Sequence, residues 1–94
     1  MSEKQLVYIV EDDVNIREIE AFSLKNSGYT VEEFGSAKEF WSRIYEKVPD
    51  LIVLDVMLPD EDGLSIVKKL RQWAESRYVP IIMAVSYTHL TLPT

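Results

Sequence analysis

Cysteine is absent from the 94 residues, which excludes disulfides and thiolate metal sites alike. Histidine occurs once, at His89, and a lone histidine among threonines is read as neither phosphodonor nor metal ligand. No apolar run approaches the roughly 18 residues that a membrane-crossing helix needs. The opening Met1-Ser2-Glu3-Lys4 lacks the apolar core of a secretory signal. Positive charge is scarce: 10 Lys and Arg face 16 Asp and Glu, for a net charge of −6. That balance argues against binding nucleic acid through this chain's own surface. What is present is a globular composition, 47% hydrophobic and 28% charged, too apolar for a disordered acidic tail. One soluble, cytoplasmic domain is the simplest expectation.

Short apolar runs alternate with amphipathic stretches, the pattern of βαβ units around a parallel sheet. Leu6-Val7-Tyr8-Ile9-Val10 reads as a strand buried on both faces. Asp13 stands where an N-cap belongs, and the helix after it carries Ile16, Ile19 and Phe22 as its apolar side. Arg17, Glu18, Glu20 and Lys25 form the polar side, and Gly28 ends the helix. Thr30 to Phe34 reads as a second strand. Ser36-Ala37-Lys38-Glu39 is a capping box that starts a second helix at Ala37. Leu51-Ile52-Val53-Leu54 is a third strand ending in Asp55. The acidic stretch Asp60-Glu61-Asp62 reads as a solvated turn, with Gly63 permitting unusual backbone angles. A third helix follows with Leu64, Val67, Leu70 and Trp73 or Ala74 on one face, and Pro80 to Val85 reads as a fourth strand.

Three acids fall at the carboxyl ends of these strands: Glu11 and Asp12 after the first, Asp55 at the end of the third. Open parallel α/β sheets bind ligands at that edge, near the switch in strand order, and strands one and three are neighbours in a 2-1-3-4-5 arrangement. Three carboxylates brought together repel unless a cation joins them or some protonate. Oxygen donors without His or Cys suit a hard ion such as Mg²⁺, which also accepts phosphate oxygens. A carboxylate beside such an ion can act as a nucleophile and form an acyl phosphate.

These segments resemble the receiver domain of bacterial two-component response regulators. The resemblance runs from about Lys4 to Met83. It rests on Tyr8-Ile9-Val10-Glu11-Asp12-Asp13, Ile16-Arg17-Glu18, Gly28-Tyr29-Thr30-Val31, Pro49 to Asp55, and Met57-Leu58-Pro59-Asp60-Glu61-Asp62-Gly63 in this order and spacing. The Met-Leu-Pro-Asp and Gly-Tyr segments are most similar to the branch with a winged-helix DNA-binding output domain. The resemblance implies a flavodoxin-like, doubly wound parallel sheet, here with four strands and three helices. It implies that Asp55 takes a phosphoryl group from a sensor histidine kinase. It also implies that Asp12 and Asp55 ligate Mg²⁺, that Glu11 acts through water, and that Met57 supplies its backbone carbonyl. Such a domain is a signalling element and not an enzyme, with DNA contacted only through an output domain outside this chain.

Two departures stand out. The family carries a Ser or Thr hydroxyl at the end of strand four, where counting from Asp55 gives Val85, with Ser86 one residue later. Side chains alternate across a strand, so Ser86 should face the other way. The family's Lys after strand five has no counterpart here. Residues 1–85 are therefore read as an incomplete receiver domain, and 86–94 as a tail of foreign sequence or a divergent natural ending. An uncovered fourth strand of this kind should favour marginal stability or self-association into a homodimer. A dehalogenase-type phosphohydrolase needs a second Asp two residues after the nucleophile, where this chain has Met57. An EF-hand aligned on Gly63 fails at Leu58 and Lys69, its first and last ligand positions. A receiver-like module that binds partners without phosphorylation is the remaining rival.

Overall fold

A computed structural model describes residues 4–84. Its elements alternate as expected: β1 (Leu6–Val10), α1 (Val14–Asn26), β2 (Thr30–Phe34), α2 (Ala37–Ile44), β3 (Leu51–Asp55), α3 (Gly63–Gln72) and β4 (Ile81–Ala84). The four strands form one parallel sheet in the order β2-β1-β3-β4. This is the flavodoxin-like arrangement, and the expectations on Val85, Ser86, His89 and the tail lie outside the described residues.

β1 is the spine of the sheet, and all five of its residues are buried. Its alternating side chains serve two cores. Tyr8 and Val10 join Phe34, Phe40, Ile44, Ile52, Leu54, Ile66 and Leu70 beneath α2 and α3. Val7 and Ile9 face the other way and pack with Ala21 of α1, with Leu24, Tyr29 and Val53 around them. Tyr8 is the one polar side chain in the strand. Its ring meets Phe34 edge-on at 5.0 Å and Phe40 at 6.3 Å, and its hydroxyl donates to the Lys47 carbonyl at 2.6 Å. A buried hydroxyl is thus satisfied without leaving the aromatic cluster.

The helix starts are capped as the sequence suggests. The Asp13 carboxylate accepts the N–H groups of Asn15 and Ile16, and the Ser36 hydroxyl accepts that of Glu39. Gly28 follows α1 with φ of 99°, a left-handed conformation that favours glycine.

The packing faces of α1 and α3 differ from the sequence reading. Ile19 and Phe22 are about 70% exposed, at 69% and 71%, while Ala21 is the buried residue of α1. The small Ala21 lets the helix backbone come close to β1, and this turns Arg17 and Glu20 inward relative to Ile19. On α3, Leu64 is exposed and Ile66 and Leu70 take the core positions, one helical turn apart.

The acidic turn also differs, because each of its side chains has a structural task. Asp60 accepts N–H groups from Ala37 and Lys38 at 3.0 Å each, so it caps α2 from a distant loop. Glu61 accepts from Trp41 Nε1, Ser65 Oγ and Lys69 Nζ. Asp62 is the N-cap of α3. Gly63 does not adopt a positive φ. Its need is space: a Cβ there would lie 2.7 Å from the Asp55 carbonyl oxygen and 2.8 Å from Val56 Cα.

Replacing Tyr8 by Phe should lower stability by about 1 kcal/mol, the cost of leaving the Lys47 carbonyl without its donor. Phe40→Ala should cost about 3–5 kcal/mol through the cavity it opens. Urea denaturation checks both, with the smaller loss expected for Tyr8→Phe.

Candidate functional site

Register builds the site. β1 and β3 run parallel with Val10 opposite Leu54, so Glu11, one residue past β1, comes beside Asp55, the last residue of β3. Glu11, Asp12 and Asp55 each present an oxygen such that the three lie within 4.8 Å of one another. Glu11 and Asp55 are each only 2% exposed, whereas Asp12 is open to solvent. The cluster is therefore a pair of shielded carboxylates approached through a third.

Backbone hydrogen bonds fix these groups. The Glu11 N–H donates to the Phe34 carbonyl at 3.0 Å, which carries the β1–β2 ladder one step past the strand. Glu11 Oε2 accepts from the Asp13 N–H, and Asp55 Oδ1 accepts from the Met57 N–H, each at 3.1 Å. Asp13 itself is committed to capping α1 and stays out of the cluster. Met57 turns its side chain to solvent, and its backbone bridges to Asp62 across the loop. The Gly63 N–H donates to the Val56 carbonyl at 2.9 Å, which presses the start of α3 against the segment after Asp55.

Burial pushes the Glu11 carboxyl up to about 7 from an ordinary value of 4.5. The Asp13 N–H opposes that shift, and the Asp55 charge and a hydrogen bond to Asp55 add to it. Glu20 on α1 is also raised, first by burial and then by the Asp55 charge. Its Oε1 is buried without a hydrogen-bond partner among the described residues.

All four expected site residues are placed at this edge of the sheet, with three carboxylates in the cluster and Met57 in the loop beside it. Two residues assigned to the polar side of α1 also bear on it. One is Glu20. The other is Arg17, whose Nη1 donates to the Glu11 carbonyl at 2.7 Å. Their i, i+3 spacing was the only sequence signal for a shared inward face. A separate groove of about 320 Å³, lined by Trp41, Tyr45, Lys69, Gln72 and Trp73, shares no residue with the cluster.

An all-oxygen donor set of this charge fits a hard divalent cation. Comparison with known proteins agrees with the architecture. The response regulator receiver domain family matches residues 7–92, a span that runs past Met83. The chain belongs to this family, whose members serve two-component systems.

Solved structures with the same fold include a candidate response regulator from Chloroflexus aurantiacus J-10-fl. It is 33% identical, with a TM-score of 0.84 over 86% of this chain and 66% of that one. A chemotaxis response regulator of Vibrio cholerae is 28% identical, with a TM-score of 0.85 over 93% of this chain and 72% of that one. A response regulator from Thermotoga maritima, solved in complex with Mg²⁺-BeF, is 26% identical, with a TM-score of 0.80 over 90% and 72%. The chain thus spans about two thirds of the length of the first of these and somewhat more of the others.

The raised Glu11 carboxyl has a consequence for stability. Folded, it holds its proton up to about pH 7; unfolded, it releases it near its ordinary 4.5. Between those values the folded state binds more protons, so stability without a divalent cation should fall as pH rises. Glu11→Gln should flatten that slope. Urea midpoints measured from pH 4.5 to 7.5 in a chelating buffer check it.

Proposed function

We propose that this chain is a phospho-accepting receiver that takes a phosphoryl group onto Asp55 with Mg²⁺ bound at the same edge. The observation that carries the reading is the convergence of Glu11, Asp12 and Asp55 within 4.8 Å at the carboxyl ends of β1 and β3. The Mg²⁺-BeF complex of the Thermotoga maritima relative supports it. Asp12 and Asp55 would ligate the ion through carboxylate oxygens, Met57 through its backbone carbonyl, and Glu11 through water. The ion would supply charge neutralisation for the carboxylates and the incoming phosphoryl oxygens.

The chain's own residues do the rest. The Met57 N–H holds Asp55 Oδ1, which fixes the orientation of the carboxylate. An oxygen of Asp55 attacks phosphorus in line, the P–O bond forms, and the P–N bond of the donor phosphohistidine breaks to release imidazole. The buried setting of Asp55 limits water at the acyl phosphate. The donor would be a sensor histidine kinase, and the chain would act as a stoichiometric acceptor rather than a turnover enzyme. Transcription control through a separate DNA-binding domain, cytoplasmic location, and self-association through the edge strand β4 belong to the same proposal.

Incubation with Mg²⁺ and acetyl phosphate tests the central step. Intact mass should show a gain of one phosphate, labile to hydroxylamine and absent in Asp55→Ala. A phosphate that persists in that variant would sink the assignment, and no phosphate on the native chain would favour a module that binds without phosphorylation. Mg²⁺ alone should raise the melting temperature, because it binds the folded cluster and not the unfolded chain.

A further inference from the structure

Arg17 lies in the first turn of α1, six residues after Glu11, and only 19% of its side chain is exposed. Its Nη1 donates to the Glu11 carbonyl at 2.7 Å, a short charge-assisted bond. Its Nε sits 3.6 Å from Glu33 Oε1 on β2, and Lys25 pairs with the other oxygen of Glu33 at 3.7 Å. Gly35 leaves room for it, since a Cβ there would come within 3.2 Å of Nη1. The guanidinium therefore spans β2, the start of α1 and the peptide that links Glu11 to Asp12.

We infer that Arg17 is a positioning residue for the cation site, acting through the Glu11–Asp12 peptide and touching no bound group itself. The inference rests on the Mg²⁺ reading above. The Glu11 N–H is already held by the Phe34 carbonyl. Arg17 holds the carbonyl of the same residue, so the backbone is pinned on both sides just before Asp12. Asp12 is the exposed member of the cluster and has no β-ladder beyond it to orient it. Arg17 supplies that constraint. The guanidinium fork suits the task because it can reach Glu33 and the Glu11 carbonyl at once, which a lysine ammonium at the end of a flexible stem does not reproduce.

Two opposite effects separate positioning from simple electrostatics. A cation near the cluster repels Mg²⁺, so removing its charge alone would tighten binding. Losing a constraint on a ligand-bearing peptide weakens binding, by about tenfold for outer partners of metal ligands. Mg²⁺ titration by calorimetry, with amide NMR on Asp12 and Met57, distinguishes them on the native chain, Arg17→Met and Arg17→Lys. Melting temperatures without metal are recorded alongside. Both variants should bind Mg²⁺ about tenfold more weakly. Arg17→Lys, which keeps the charge and loses the fork, covers the case in which Arg17→Met does not fold. Unchanged affinity with a lowered melting temperature would reduce Arg17 to a structural role, and tighter binding by Arg17→Met would make its effect one of charge; either overturns the inference alone. Absence of Mg²⁺ binding by the native chain overturns the site reading and the inference with it.

Discussion

Two carboxylates that end neighbouring parallel strands cannot both stay dry and charged without help. This repulsion between Glu11 and Asp55 is the constraint around which the upper edge of the sheet is organised. Parallel pairing of β1 with β3 fixes their separation, and the sheet cannot relax it without giving up ladder hydrogen bonds on both strands. Burial first, and the neighbouring Asp55 charge after it, push the Glu11 carboxyl up, while the N–H groups of Asp13 and Met57 are aimed at the acids. A divalent cation held there, as proposed above, would answer the same conflict by a different route and would compete with the proton for one site.

Around this edge, backbone takes the place of side chains wherever room is short. Gly63 packs against the Asp55 carbonyl and Val56, so α3 begins almost in contact with the end of β3. Gly35 makes similar space for the Arg17 guanidinium. Neither glycine has a positive φ, and each serves close approach rather than a turn.

Much of this was legible in the sequence, for reasons that can be named. β1 is an apolar run because it is buried on both faces, β3 because one face is buried and the other partly covered, and such runs stand out without any periodicity. The caps at Asp13 and Ser36 were legible because capping is local. The cluster followed from strand order and the placement of acids at strand ends. The tasks of Asp60 and Glu61 were not legible, since their partners Ala37, Lys38 and Trp41 lie 20 or more residues away. Local composition says turn and is silent on what the turn touches. The inner face of α1 was misread because Ile19 and Phe22 outweigh Ala21 in hydrophobicity, while the close packing on β1 favours the smaller side chain. Arg17 and Glu20 were then hidden on what looked like a solvated side.

The Asp60 carboxylate has a mechanical meaning. It stands five residues past Asp55 and closes the N-terminus of α2, a helix that contributes nothing to the cluster. A rearrangement of this loop would release the Ala37 and Lys38 N–H groups or carry the helix along, with Ser36 keeping its own bond to Glu39, and Glu61 ties the same loop to Trp41 one turn further on. The acidic edge and the aromatic flank of α2 are thus geared together through one short span of chain. By linkage, a partner that held the flank of α2 in one arrangement of this loop would favour that arrangement at the carboxylates as well.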